Sequence, residues 1–135
     1  MAAVTVTAAN VRKIFPHFAE AYPAVAGVAL TAGQLVYFNS SGKLVLTDAD
    51  SAGTALCDGM CLESAGAGQA TSYLVRGHVA GLTLTGAYRA LLYASDVAGG
   101  IDTAAGTVSL TIGRIVPMSD SDYTKVFYFF APSFS

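Results

Sequence analysis

LLYASDVAGGIDTAAGTVSLTIGRIVPMSDSDYTKVFYFF, residues 91–130, is the stretch from which the fold can be read. The apolar run Leu91-Leu92-Tyr93 leads into Ser95-Asp96 and then Gly99-Gly100, where glycine permits the positive φ of a tight connection. A strand over 107–116 follows and is stopped by Pro117. The tetrad Ser119-Asp120-Ser121-Asp122 offers side chains that bond their own backbone in turns, and residues 123–130 make a last strand. There Tyr123, Lys125, Phe127 and Phe129 share one face while Thr124, Val126, Tyr128 and Phe130 share the other, so both faces are largely apolar. Such a strand either lies inside a two-layer core or has its outer face covered by another subunit. A chain with few helices to offer as cover favours the subunit. Phe127, Tyr128, Phe129 and Phe130 are therefore expected to divide between core and subunit interface, with Arg114 bonding across the boundary.

Upstream of this stretch, β-branched and aromatic runs alternate with turn clusters, the pattern of an all-β chain. Strands are expected over 34–39, 43–47, 55–63, 69–79 and 89–94, in addition to 107–116 and 123–130. Asn39-Ser40-Ser41-Gly42 reads as the hairpin turn joining the first two. Residues 49–54 and 65–70 read as exposed, Ala-rich loops. In 69–79, Thr71, Tyr73, Val75 and Val79 alternate with Ser72, Leu74, Arg76 and His78, as in a sheet with one wet side.

The N-terminal segment reads differently. Val4-Thr5-Val6-Thr7 alternates like a short strand, and Val11, Ile14, Phe15, Phe18 and Tyr22 then recur at near-helical spacing. Pro16 removes a backbone donor and disfavours helix at Phe15, so no more than a short turn is expected there. Pro23 and Gly27 mark the passage into the body. The expected architecture is a single small β-barrel or β-sandwich domain over 28–135 with an extended N-terminal arm over 1–27.

Composition narrows the partners. The 135 residues carry only 12% charged side chains against 53% hydrophobic, with a mean hydropathy of +0.53. Typical soluble domains have about 25% charged residues, so part of this surface is expected to be covered by an assembly. Seven basic and nine acidic residues are scattered singly, which excludes a basic stripe for nucleic acid or anionic lipid. The uncharged stretch after Ala21 is broken by Pro23 and Gly27 and falls short of the roughly 20 apolar residues a spanning helix requires. The N-terminus lacks a charged region ahead of an apolar core, so a soluble protein without a signal peptide is expected.

Candidate chemistry is sparse. Cys57 and Cys61 lie four apart in an expected strand, about 13 Å between Cα atoms in extended chain, which is too far for a disulfide; free buried thiols are expected. His17 and His78 belong to unrelated segments and complete no zinc site with them. The pairs Asp48/Asp50 and Asp120/Asp122 lack the remaining oxygens of a calcium loop and read as turn caps. No Gly-x-Ser-x-Gly elbow occurs. No catalytic residue, metal or cofactor is assigned.

The order of the pieces in 91–130 resembles the small capsid decoration, or cement, proteins of tailed bacteriophages. Leu92-Tyr93, Ser95-Asp96, Gly99-Gly100, Gly113-Arg114-Ile115-Val116-Pro117 and Ser119-Asp120 match that family's C-terminal elements in sequence order. Ala32-Gly33-Gln34-Leu35-Val36-Tyr37 looks like its opening strand, with Gln34 where an acid is more usual, and the similarity covers roughly residues 28–130. The resemblance implies a non-enzymatic virion protein on the outer surface of the head, made in the host cytoplasm, which clamps the major capsid protein lattice as a homotrimer at local three-fold positions. It further implies that the arm reaches the capsid, here through Val4, Val6, Val11, Ile14, Phe15, Phe18 and Tyr22. Related segments also occur in head and tail fibres, so a fibre module with a glycan- or host-surface-binding role is the alternative, which seven Tyr and no Trp weaken. A small β-barrel enzyme or ligand binder is a third class, opposed by the sparse chemistry.

Overall fold

The computed structural model describes residues 3–15, 18–117 and 125–132. Pro16, His17, the 119–122 tetrad, Tyr123 and Thr124, on which several expectations rest, lie outside the described residues. The chain is all-β, and its main sheet is antiparallel and curls into a half-barrel. Its strands are β1 (Thr5–Val6), β2 (Arg12–Ile14), β3 (Glu20–Val25), β4 (Leu35–Phe38), β5 (Leu44–Leu46), β6 (Gly59–Cys61), β7 (Ala70–Ala80), β8 (Leu82–Thr83), β9 (Leu91–Ala94), β10 (Ile101–Asp102), β11 (Thr111–Pro117) and β12 (Lys125–Phe130). The order across the main sheet is β10-β9-β11-β12-β7-β6-β4-β5, with β2 and β3 also paired to β7, while β1 and β8 form a separate two-stranded ribbon.

The long β7 organises the sheet. Both β12 and β2 pair with His78 and Val79, so they must flank β7 on opposite edges. Pairing with β3 slips by one residue between Glu20 and Ala21, which oppose Arg76 and Leu74. A residue extra on one strand ends strict alternation. Consecutive Leu74 and Val75 are accordingly both buried, and the wet side expected along β7 is interrupted at Leu74, with Ser72 and His78 half-buried and Arg76 exposed.

Loop backbone ties the two ends of the strand order together. Gly99 N–H donates to Thr47 O (2.6 Å), Leu35 N–H to Gly99 O (3.0 Å) and Ala49 N–H to Ser95 O (3.0 Å). These bonds satisfy groups that a sheet edge would leave exposed. They also bury Ala49, which had been expected in an exposed loop. The same contacts shorten the next strand: Val108 N–H donates to Ala49 O and Thr107 N–H to Asp96 Oδ1, so regular pairing starts at Thr111 instead of 107. Turn bonds around 51–55 likewise leave only Gly59–Cys61 of the expected 55–63 strand.

The Asn39 hairpin forms as its sequence suggests. The Asn39 side chain accepts from Ser41 and Lys43 N–H, and Gly42 takes φ +76°. The core inside the curl is built of Leu35, Val36, Met60, Ile115, Phe127 and Phe129, among others, all essentially inaccessible. Burying each side chain of this size contributes on the order of 1.5–3 kcal/mol.

Of the segment 1–27 expected as an extended arm, Thr5–Val6, Arg12–Ile14 and Glu20–Val25 pair with β7 or β8. The Pro23 expected to mark an entry point sits within β3, opposite Ser72. Val4, Val6 and Val11 pack against the core. Two glycines make room for them: a Cβ on Gly33 would strike Val6, and one on Gly81 would strike the Val11 backbone.

Candidate interaction surface

The strand registers bring residues far apart in sequence into one transverse row. Ile14 of β2 opposes His78 of β7, His78 opposes Tyr128 of β12, Tyr128 opposes Arg114 of β11, and Arg114 opposes Leu91 of β9. Cross-strand partners share a sheet face. The neighbouring inner row, Val79-Phe127-Ile115, is buried, so the row from Ile14 to Leu91 faces outward. Flanking rows add Arg12 opposite Ala80, and Phe130 opposite Arg76.

Rings and guanidiniums alternate on this face. Phe15 stands edge-on to His78 (5.3 Å between ring centroids), His78 lies 5.0 Å from Tyr128, and Tyr128 lies 6.3 Å from Phe130. Around these rings stand the exposed Arg12, Arg76 and Arg114. The carboxylate on the face is Glu20, 3.7 Å from Arg76 and accepting from the Tyr22 hydroxyl at 2.9 Å. His78 Nδ1 is buried and has no hydrogen-bond partner among the described residues, and burial holds the imidazole below its ordinary pKa of 6.5. Phe15 takes φ +57°, unusual for a bulky residue.

The expected interface residues therefore separate. Arg114, Tyr128 and Phe130 belong to the outward face. Phe127 and Phe129 are wholly buried, their rings 5.9 Å apart in the core, and unavailable to a partner. Of the expected arm residues, Val4, Val6 and Val11 face the core, Ile14 is half-buried, and Phe15, Phe18 and Tyr22 are exposed. Phe18 is 80% exposed. Sequence reading missed the clustering of Arg12, Arg76 and Arg114, since each stands alone in its own strand; register is the signal that joins them.

The remaining candidates show structural roles. Cys57 and Cys61 are free and buried, donating to Gly59 O and Glu63 O, and burial pushes the Cys57 thiol up to about 12. Asp48 accepts from Asp50 N–H within one turn. Among the described residues no group of three or more His, Cys, Asp or Glu could hold a metal ion, and no helix is long and apolar enough to cross a membrane. A shallow groove of about 490 Å³ between β2, β3 and Leu62 is lined by Arg12, Lys13, Tyr22, Glu63 and Ser72, among others.

No curated protein and no solved structure matches the chain. The family model for phage cement protein matches residues 3–77, just over half of the length. The matched span runs from β1 into β7 and includes Ala32–Tyr37, but it stops short of the 91–130 stretch. The chain belongs to the phage cement protein family.

Proposed function

We propose that this protein is a decoration protein of a bacteriophage head that binds the major capsid protein lattice on the outer surface and stabilises the shell. The observation that carries this reading is family membership over residues 3–77. The protein adds area and contacts, not chemistry: it is non-enzymatic, is made in the host cytoplasm, and acts as a homotrimer docked where capsomers meet. The N-terminal segment is the capsid-binding element. Exposed large apolar side chains concentrate there, with Phe15, Phe18, Tyr22, Val25 and Val28 all at least about a third accessible. Such density of exposed apolar surface in one segment marks an interaction site. Three copies of the segment per trimer multiply a weak single contact by avidity.

Co-sedimentation with empty, expanded capsids tests the reading. The purified protein is expected to pellet with shells and to saturate at a fixed copy number, and Phe18→Asp is expected to stay in the supernatant. Failure of the unaltered protein to pellet overturns the proposal.

A further inference from the structure

Backbone direction along β3 leaves one edge of the sheet open. Both β3 and β6 pair with Tyr73 and Leu74, so they flank β7 on opposite edges. Leu62, which follows β6, donates its N–H to Ser72 O (2.9 Å), so the Ser72 carbonyl points away from β3. Pro23, opposite Ser72, therefore sits at a non-hydrogen-bonded pair and turns its own carbonyl outward. Ala26 has the opposite sense, exchanging bonds inward with Gln69 O (2.9 Å) and Gly68 N–H (2.7 Å), as alternation requires. Ala21 accordingly presents both its N–H and its C=O outward. Proline is tolerated within a strand where its missing donor would have faced away from the sheet, which is the position of Pro23. Among the described residues no strand pairs with this outer edge until the Ala26–Leu44 bridge to β5. The groove of about 490 Å³ follows the open edge, with Ala21 and Pro23 in its lining beside Arg12, Lys13 and Glu63. Glu63 is engaged by Ser72, whose hydroxyl donates to its Oε2 (3.3 Å). Glu20 is drawn to Arg76, and among the described residues neither Arg12 nor Lys13 is held in an ion pair. Two uncompensated cations thus border an unpaired strand edge.

We propose that this groove takes an extended, acidic peptide segment of another protein, which adds as a short strand beside β3 and sets a carboxylate against Arg12 and Lys13. A small anion or an acidic sugar would answer the cations and leave the strand edge to water. An uncharged strand would answer the edge and leave the cations. An extended segment bearing Asp or Glu answers both, with main-chain bonds supplying affinity and alternate side chains supplying specificity. The edge of a second copy is a poor occupant, because it carries the same gap at Pro23 and the same two cations. From Ala21 to Val25 the chain rises about 13 Å at about 3.3 Å per residue, so the added strand is short, about five residues. The inference deepens the proposed function, on which it rests only for expecting the peptide to belong to the head.

Nuclear magnetic resonance on the full, isotopically labelled chain tests it with two synthetic peptides, one alternating Asp with Thr and one alternating Lys with Thr, and with an alginate oligosaccharide as the acidic sugar. The Asp peptide is expected to move the Lys13 and Ala21 resonances and to slow exchange of the Ala21 N–H with solvent, and the Lys peptide to do neither. Replacing both cations, Arg12→Glu with Lys13→Glu, is expected to weaken binding of the Asp peptide by about tenfold or more, the loss of a charged hydrogen bond, with circular dichroism showing the fold intact. No binding of the Asp peptide, equal binding of the two peptides, equal binding by the double variant, or binding that leaves the Ala21 N–H unprotected would each overturn the proposal. Binding of alginate without binding of the Asp peptide would overturn it in favour of a saccharide. Capsid pelleting is read separately: pelleting that depends on Phe18, with no peptide bound at the groove, removes this inference and leaves the capsid reading, whereas peptide binding without pelleting does the reverse.

Discussion

Gly113 has no room for a side chain. A Cβ there would drive into the carbonyl of Tyr128 and the ring of Phe127, so the residue ahead of Arg114 is fixed by the close approach of β11 to β12. Gly113→Ala is expected to destabilise the fold by about 1–3 kcal/mol, the usual cost of overpacking, visible as a lower urea midpoint with an unchanged slope. A midpoint at the wild-type value would mean the two strands lie further apart. His78 makes a second test. Burial favours its neutral form in the folded state, while in the unfolded chain it titrates near its ordinary 6.5. Its folded pKa is therefore depressed, so stability is retained above pH 6.5 and falls as pH drops through the folded pKa. Melting temperatures between pH 8 and pH 5 should decline less in His78→Phe than in wild type; parallel profiles would place the acid sensitivity elsewhere.

β12 shows both how far the sequence could be read and where it stopped. Its alternation put Phe127 and Phe129 on one face, where both are buried, and the β-branched and aromatic runs between turn clusters correctly gave an all-β chain. Alternation cannot say which face points inward. The fold settles it: Phe127 and Phe129 are wholly buried while Tyr128 and Phe130 are half-buried. Phe127→Ala is accordingly expected to cost about 3–5 kcal/mol, whereas Tyr128→Ser on the outer face should cost clearly less and instead weaken association between copies. Equal losses in chemical denaturation would contradict this division. The N-terminal strands were harder to read. The spacing of Val11, Ile14, Phe15, Phe18 and Tyr22 mimics a helix period because β2 and β3 are separate short strands divided by a turn. Their pairing with β7 depends on partners from 45 residues (Val25 to Ala70) to 68 residues (Arg12 to Ala80) along the chain, which local pattern does not encode. The arginine face was illegible for the same reason: it exists only once five strands are in register.

As a whole, the protein has the properties of an adhesive plate. A curled sheet is tied at its seam by backbone hydrogen bonds, and exposed apolar side chains gather in the first 28 residues, the attachment surface proposed above. Low overall charge is consistent with a surface that is covered in the assembled state. In the proposed role, binding strength would come from many copies held together on one shell. A stabilising role follows from linkage, since any ligand that binds the intact lattice and not its dissociated subunits shifts the equilibrium toward the lattice. The most direct measurement is the temperature at which expanded shells rupture, followed by light scattering or dye access to packaged DNA, with and without saturating protein. A higher rupture temperature with the protein bound, lost in Phe18→Asp, is the expected result; an unchanged rupture temperature on shells shown to be saturated would contradict the cement role.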